Sequence, residues 1–134
     1  MKFFLVFLIF PILSESSDLR NLTHKIETEI GEFIEKSDAP SIRTYFSDDF
    51  SFKFCNGTVF SRENAVQELL TRKGALPKFE ILDTQFLDMS SDHFYYVLRE
   101  DFEAKSRILY TYNTVKIVGN QKGIIVGGKQ QCNY

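Results

Sequence analysis

The sequence predicts an α+β domain, with helices gathered early and strands late. Three observations carry that expectation. Leu19, Leu22, Ile26, Ile30, Phe33 and Ile34 recur at the spacing of one helical face. Almost everything after Pro77 is rich in β-branched and aromatic residues, cut into runs by short polar turns. Between the two, residues 45–70 pass from aromatic alternation through Asn56-Gly57 into a capped amphipathic segment. Such elements pack as three helices on one face of a curved, mostly antiparallel sheet, here of about six strands.

Each element has its own signal. Asp18 is placed to cap a first helix that runs to about Lys36. On that helix Asn21 falls roughly 140° and His24 roughly 160° from the centre of the apolar stripe, so both face solvent. Asp38-Ala39-Pro40 ends it and starts a short helix over Ser41–Phe46, because the residue before Pro resists the helical region while Pro suits a first turn. Phe50, Phe52 and Phe54 alternate with Ser51, Lys53 and Cys55 as in a half-buried strand. Asn56-Gly57 is a strong hairpin signal, and Thr58–Phe60 returns as a second strand. Ser61 caps a third helix with Ala65, Val66, Leu69 and Leu70 on its buried side, and Gly74 offers a left-handed stop. Lys78–Met89, His93–Phe102, Arg107–Val118 and Gly123–Cys132 then form an antiparallel meander. The order is α-α-β-β-α-β-β-β-β, in one domain of residues 17–134.

Residues 1–16 have a different character. Lys2 precedes an apolar run from Phe3 to Leu13, followed by Ser14-Glu15-Ser16, the layout of a secretory signal peptide with cleavage expected after Ser16. The run is too short to span a bilayer. Its removal takes away Lys2 and Glu15 and leaves the net charge at −2. A near-neutral chain without a basic cluster argues against a nucleic-acid partner, and nothing in it attracts an anionic membrane. Secretion places Cys55 and Cys132 in an oxidising compartment, where a pair is more often a disulfide than two free thiols. Neither His stands at metal-ligand spacing from a Cys, so no metal is expected. Asn21-Leu22-Thr23 and Asn56-Gly57-Thr58 are candidate glycan acceptors.

Tyr45-Phe46-Ser47-Asp48-Asp49-Phe50-Ser51-Phe52, then Asn56-Gly57-Thr58 and Ser61-Arg62-Glu63-Asn64-Ala65-Val66, resemble the junction and hairpin-then-helix passage of the NTF2-like, or SnoaL-like, superfamily of cystatin-like cone domains. The resemblance covers about residues 18–132 and extends to the secreted single-domain type seen in nematodes. Ser61 stands where the family often has Gly. The Q-x-V-x-G inhibitory loop of cystatins proper is missing. The resemblance implies that the first long strand lies beside the last. If those strands run parallel, Cys55 and Cys132 come to the same end of the sheet and can pair.

Members of this family include isomerases, dehydratases and cyclases alongside binding and dimerisation modules. Their enzymes place an Asp, Glu, His or Tyr inside the cone. Here His24 faces out, His93 follows a polar turn, and Asp48 and Asp49 read as junction carboxylates. Asp83 shares a strand face with Phe79, Ile81, Gln85 and Leu87; Tyr96 shares one with Phe94 and Leu98; Tyr110 shares one with Ile108 and Tyr112. Asp83 with Tyr96 and Tyr110 is the candidate catalytic set, and equally a set of satisfied core hydrogen bonds. Phe50, Phe52, Phe54 and Tyr112 are candidate ligand-binding residues. No Ser-His-Asp set, Gly-rich phosphate loop or Cys-x-x-Cys is present, and no cofactor is expected; Gly127-Gly128 reads as a bulge or close approach. The leading expectation is a secreted, non-catalytic binding protein for a small apolar or aromatic ligand. A pocket enzyme of isomerase or dehydratase type and a homodimer formed through the sheet face remain as alternatives.

Overall fold

A computed structural model describes residues 2–119 and 122–132, with the side chains described from residue 17 onward. The signal-peptide expectation falls on side chains outside that range. Three helices, α1 (Lys2–Glu35), α2 (Ala39–Arg43) and α3 (Arg62–Leu70), pack with six strands, β1 (Phe46–Lys53), β2 (Val59–Ser61), β3 (Lys78–Phe86), β4 (His93–Phe102), β5 (Arg107–Gly119) and β6 (Lys122–Gln130). Two helices precede the strands and the third follows the β1–β2 hairpin.

Asp18 lies inside α1 and is not its cap, because the helix continues without a Gly or Pro through residues 12–18. The predicted apolar stripe is real: Leu19, Ile26, Ile30 and Ile34 are buried. The helix ends in a Schellman arrangement. Ser37 takes φ 55°, its N–H donates to the Ile34 carbonyl, and the Asp38 N–H donates to that of Phe33. Asp38 then caps α2 by accepting from the Ser41 N–H at 3.2 Å. The second helix is thus earlier and shorter than the expected Ser41–Phe46, and Phe46 already pairs with Ile125 as strand.

Asp48 and Asp49 lie within β1, in the stretch where its pairing with β6 is irregular. Both are exposed. The hairpin follows a type I turn with a glycine bulge: the Gly57 N–H donates to the Phe54 carbonyl, and Gly57 adopts φ 90°, closed to most side chains. Ser61 caps α3 in a capping box with Asn64. The helix stops at Leu70, before the expected Gly stop, and Gly74 takes φ 82° in the turn beyond.

The strand order is β2-β1-β6-β5-β4-β3. Among the described residues only β1 and β6 run parallel, and every other pair is antiparallel. That parallel pair brings Cys55 and Cys132 together in a disulfide with Cα atoms 5.5 Å apart. Bulges in β3 and β6 curl the sheet around α1. The inner surface carries Phe94, Tyr96, Leu98, Leu109, Val115 and Ile125, all nearly or fully buried.

At Gly128, as the sequence suggested, two backbones approach closely. A Cβ there would stand 2.6 Å from the Tyr112 carbonyl oxygen and 3.0 Å from the Phe52 ring. Gly128→Ala should therefore cost about 2–3 kcal/mol in urea unfolding. A loss below about 0.5 kcal/mol would show that this strand pair yields easily.

Candidate functional site

The concave face of the sheet and the helices form a half-open pocket with a cavity volume of about 110 Å³. Phe50, Phe52 and Phe54 line it, as β1 alternation suggested, together with Phe46 and Phe60. The hairpin supplies Phe54 and Phe60, whose rings meet edge to face with centroids 4.7 Å apart. Ile30 of α1, Ala65 of α3 and Leu109 of β5 complete much of the apolar wall.

The polar end of this cavity comes from three elements. Tyr96 is 1 % exposed, and its hydroxyl donates to Glu27 Oε2 at 2.6 Å. Four residues along β4, on the same inward face, Glu100 accepts from Arg72 Nη1 at 2.9 Å. The Arg72 guanidinium also lies over the Phe102 ring, 4.9 Å from its centre, and its Nε is buried without a partner among the described residues. Glu27, Arg72 and Glu100 also border a second cavity of about 300 Å³ under Leu76, Pro77 and Phe79. The polar cluster thus lies at the wall shared by the two spaces.

Burial first, and then the negative charge of Glu100, push the Glu27 carboxyl up to about 7; the Tyr96 hydrogen bond and Arg72 act in the opposite sense. Burial and the neighbouring Glu27 push the Tyr96 hydroxyl well above its ordinary range. A carboxyl poised near neutrality inside an apolar pocket can donate a hydrogen bond, accept one, or exchange a proton.

The expected Asp83 set is not assembled. The pairing of β3 with β4 shifts between Ile81 and Asp83, so one extra residue, exposed Leu82, stands in the bulge. Because side chains alternate, that insertion turns Asp83 to the outer face. There it accepts from Tyr95 at 3.0 Å, far from the Tyr96 side of the strand. Tyr110 and Tyr112 are also outward, since Leu109, Thr111 and Asn113 occupy the inner face of β5. Tyr112 stacks on Tyr95 with centroids 4.9 Å apart and does not line the pocket. Tyr96 alone of the catalytic candidates faces the cavity.

Glu27, Glu100 and Arg72 were missed by sequence reading. Glu100 was within reach: it continues the Phe94, Tyr96, Leu98 alternation as an acid in an apolar row. Glu27 projects roughly 20° from Ile34 on the helical wheel, at the edge of the apolar stripe. His24 is exposed and touches only Phe79 and Thr28 by ring and hydrogen-bond contacts, and His93 bonds Asp92 at the turn, both outside the pocket as expected. Among the described residues no cluster could hold a metal ion, and no helix is long and apolar enough to cross a membrane.

A family model described as NTF2-like domain matches residues 20–132. The chain belongs to the NTF2-like family. Solved NTF2-like structures agree in fold. A protein from Cytophaga hutchinsonii is 15 % identical, with a TM-score of 0.62 over 84 % of this chain and 97 % of its own. One of unknown function from Pseudomonas aeruginosa is 15 % identical, with a TM-score of 0.64 over 87 % and 99 %. Another of unknown function, from Silicibacter pomeroyi, is 14 % identical, with a TM-score of 0.65 over 86 % and 96 %. At such identities the likeness is one of fold. No curated protein matches the chain. In this NTF2-like domain the cone is therefore defined by its own residues: a phenylalanine-rich wall closed at one end by Glu27 and Tyr96.

Proposed function

We propose that this NTF2-like domain binds a small apolar or aromatic molecule in its cone. The carrying observation is the cavity of about 110 Å³ between five phenylalanines and the Glu27–Tyr96 pair. Apolar cavities of about 150 Å³ take up benzene-sized molecules, so one aromatic ring is the natural scale of the occupant. Phenylalanine faces supply the affinity, and the carboxyl and its neighbours orient one polar group. Saturation-transfer NMR with benzyl alcohol should show ring signals on wild type. Ala65→Leu, which extends a side chain into the same space, should weaken binding roughly tenfold or more. Binding unchanged by Ala65→Leu would place the molecule elsewhere.

A second reading, a pocket enzyme of isomerase or dehydratase type, is favoured by one observation, the Glu27 carboxyl held near 7. In that reading Glu27 moves the proton and Tyr96 orients it. The domain is further proposed to be the secreted single-domain type, released from residues 1–16 and carrying glycans on Asn21 and Asn56, both exposed. A homodimer through the outer sheet face would bury Tyr95, Tyr112 and the exposed Ile108; sedimentation tests it.

A further inference from the structure

The charges around the cone do not balance. Among the described residues, three carboxyl groups and one guanidinium line it: Glu27 from α1, Glu68 from α3, Glu100 from β4, and Arg72 just beyond α3. The one cation among the described residues that line it, Arg72, donates through Nη1 to Glu100 at 2.9 Å and lies over Phe102, while its Nε has no partner among the described residues. Glu68 lies exposed near the end of α3. Glu27 receives a hydrogen bond from Tyr96 but forms no ion pair among the described residues. The remaining wall offers the faces and edges of Phe46, Phe50, Phe52, Phe54 and Phe60.

We propose that the occupant of the cone is an organic cation, a small aromatic or apolar amine whose ammonium group pairs with the Glu27 carboxylate while its apolar part lies among the phenylalanines. This rests on the reading of the cone as a ligand pocket and adds its charge class. Aromatic rings attract a cation through their negative faces, most strongly where water is excluded. The Glu27 carboxylate, half-buried beside Glu100, has the charge of Arg72 near it but shares it with Glu100, and a ligand ammonium adds a positive neighbour of its own. An anionic ligand would meet two or three carboxylates against one engaged guanidinium and is disfavoured. Binding a cation favours the ionised form of Glu27, so uptake releases a proton from it. Tyr96 and Glu100 of β4 and Arg72 are the other groups that act on that carboxyl, and Glu68 lines the same pocket.

Benzylamine, benzyl alcohol and benzoate present one ring with a cationic, a neutral and an anionic end. Calorimetry or ligand-detected NMR on the oxidised protein should rank benzylamine above benzyl alcohol by roughly tenfold or more, with benzoate weakest. Benzylamine affinity should rise from about pH 6 to about pH 8 while that of benzyl alcohol stays level. Glu27→Gln should bring benzylamine down to the affinity of benzyl alcohol, and an amide NMR spectrum of wild-type dispersion in the variant shows the fold intact. Equal binding of alcohol and amine, or stronger binding of benzoate, overturns the cation assignment and leaves the pocket reading standing. An amine preference that survives in Glu27→Gln overturns the role given to Glu27. Failure of all three compounds to bind overturns the pocket reading together with the inference.

Discussion

Glu27→Gln is expected to stabilise this NTF2-like domain above neutral pH and to leave it nearly unchanged near pH 4. In the unfolded chain the carboxyl titrates at its ordinary 4.5, and in the folded protein at about 7. Between those values the folded state holds a proton that the unfolded state has released, so stability falls as pH rises through that window. Above it the folded protein carries a desolvated carboxylate next to Glu100. The penalty there is on the order of 2–3 kcal/mol. Glutamine keeps an oxygen for the Tyr96 hydroxyl and carries no charge, so it removes the penalty. Urea melts at about pH 8 should show the variant more stable by on the order of 2 kcal/mol, with the two proteins within about 0.5 kcal/mol near pH 4. A variant less stable than wild type at the higher pH would mean that Glu27 is held ionised in the fold, and the account of the cluster would fail.

Loss of the Cys55–Cys132 disulfide is expected to have the largest effect on stability. The bridge spans 77 positions and closes most of the domain into one loop. Chain entropy alone assigns such a closure about 4 kcal/mol. For a domain of this size that corresponds to a fall in Tm of roughly 10–15 °C. The damage should also be local. Cys55 follows Phe54 at the hairpin tip, and Phe54 with Phe60 forms part of the pocket wall. Cys55→Ser/Cys132→Ser and reduced wild type should therefore melt alike, and both should bind benzyl alcohol more weakly than the oxidised protein. A Tm change below about 2 °C on reduction would show that the parallel β1–β6 pairing holds the chain ends without the bridge.

Much of the architecture was legible because its signals are local. Leu19 to Ile34 on α1, Asn56-Gly57 at the turn and Ser61 at the start of α3 each act within about four residues, the range over which helix faces, turns and caps are decided. The boundaries that moved did so where two local signals competed: Asp38 capped α2 earlier than Pro40 alone indicated, and sheet pairing with Ile125 took Phe46 from the helix. The pocket was legible in part. Alternation put Phe50, Phe52 and Phe54 on one face of β1 and grouped Tyr96 with Phe94 and Leu98 on one face of β4; the tertiary structure turns both faces to the pocket. It failed at Asp83, because a single bulged residue at Leu82 reverses every side chain that follows.

From the sequence alone came the order of helices and strands, the apolar stripe of α1, the hairpin with its capped helix and, through the family resemblance, the pairing of Cys55 with Cys132. These follow from short-range periodicity and from one element order. Only the tertiary structure decided which carboxyls face the cone. Glu27 meets Tyr96 across 69 positions of sequence, and Arg72 meets Glu100 across 28. Neither the burial that lifts the Glu27 carboxyl nor the charge that opposes its ionisation is a property of its neighbours in the chain. Both arise when a curved sheet folds around one helix and excludes water from the groups between them.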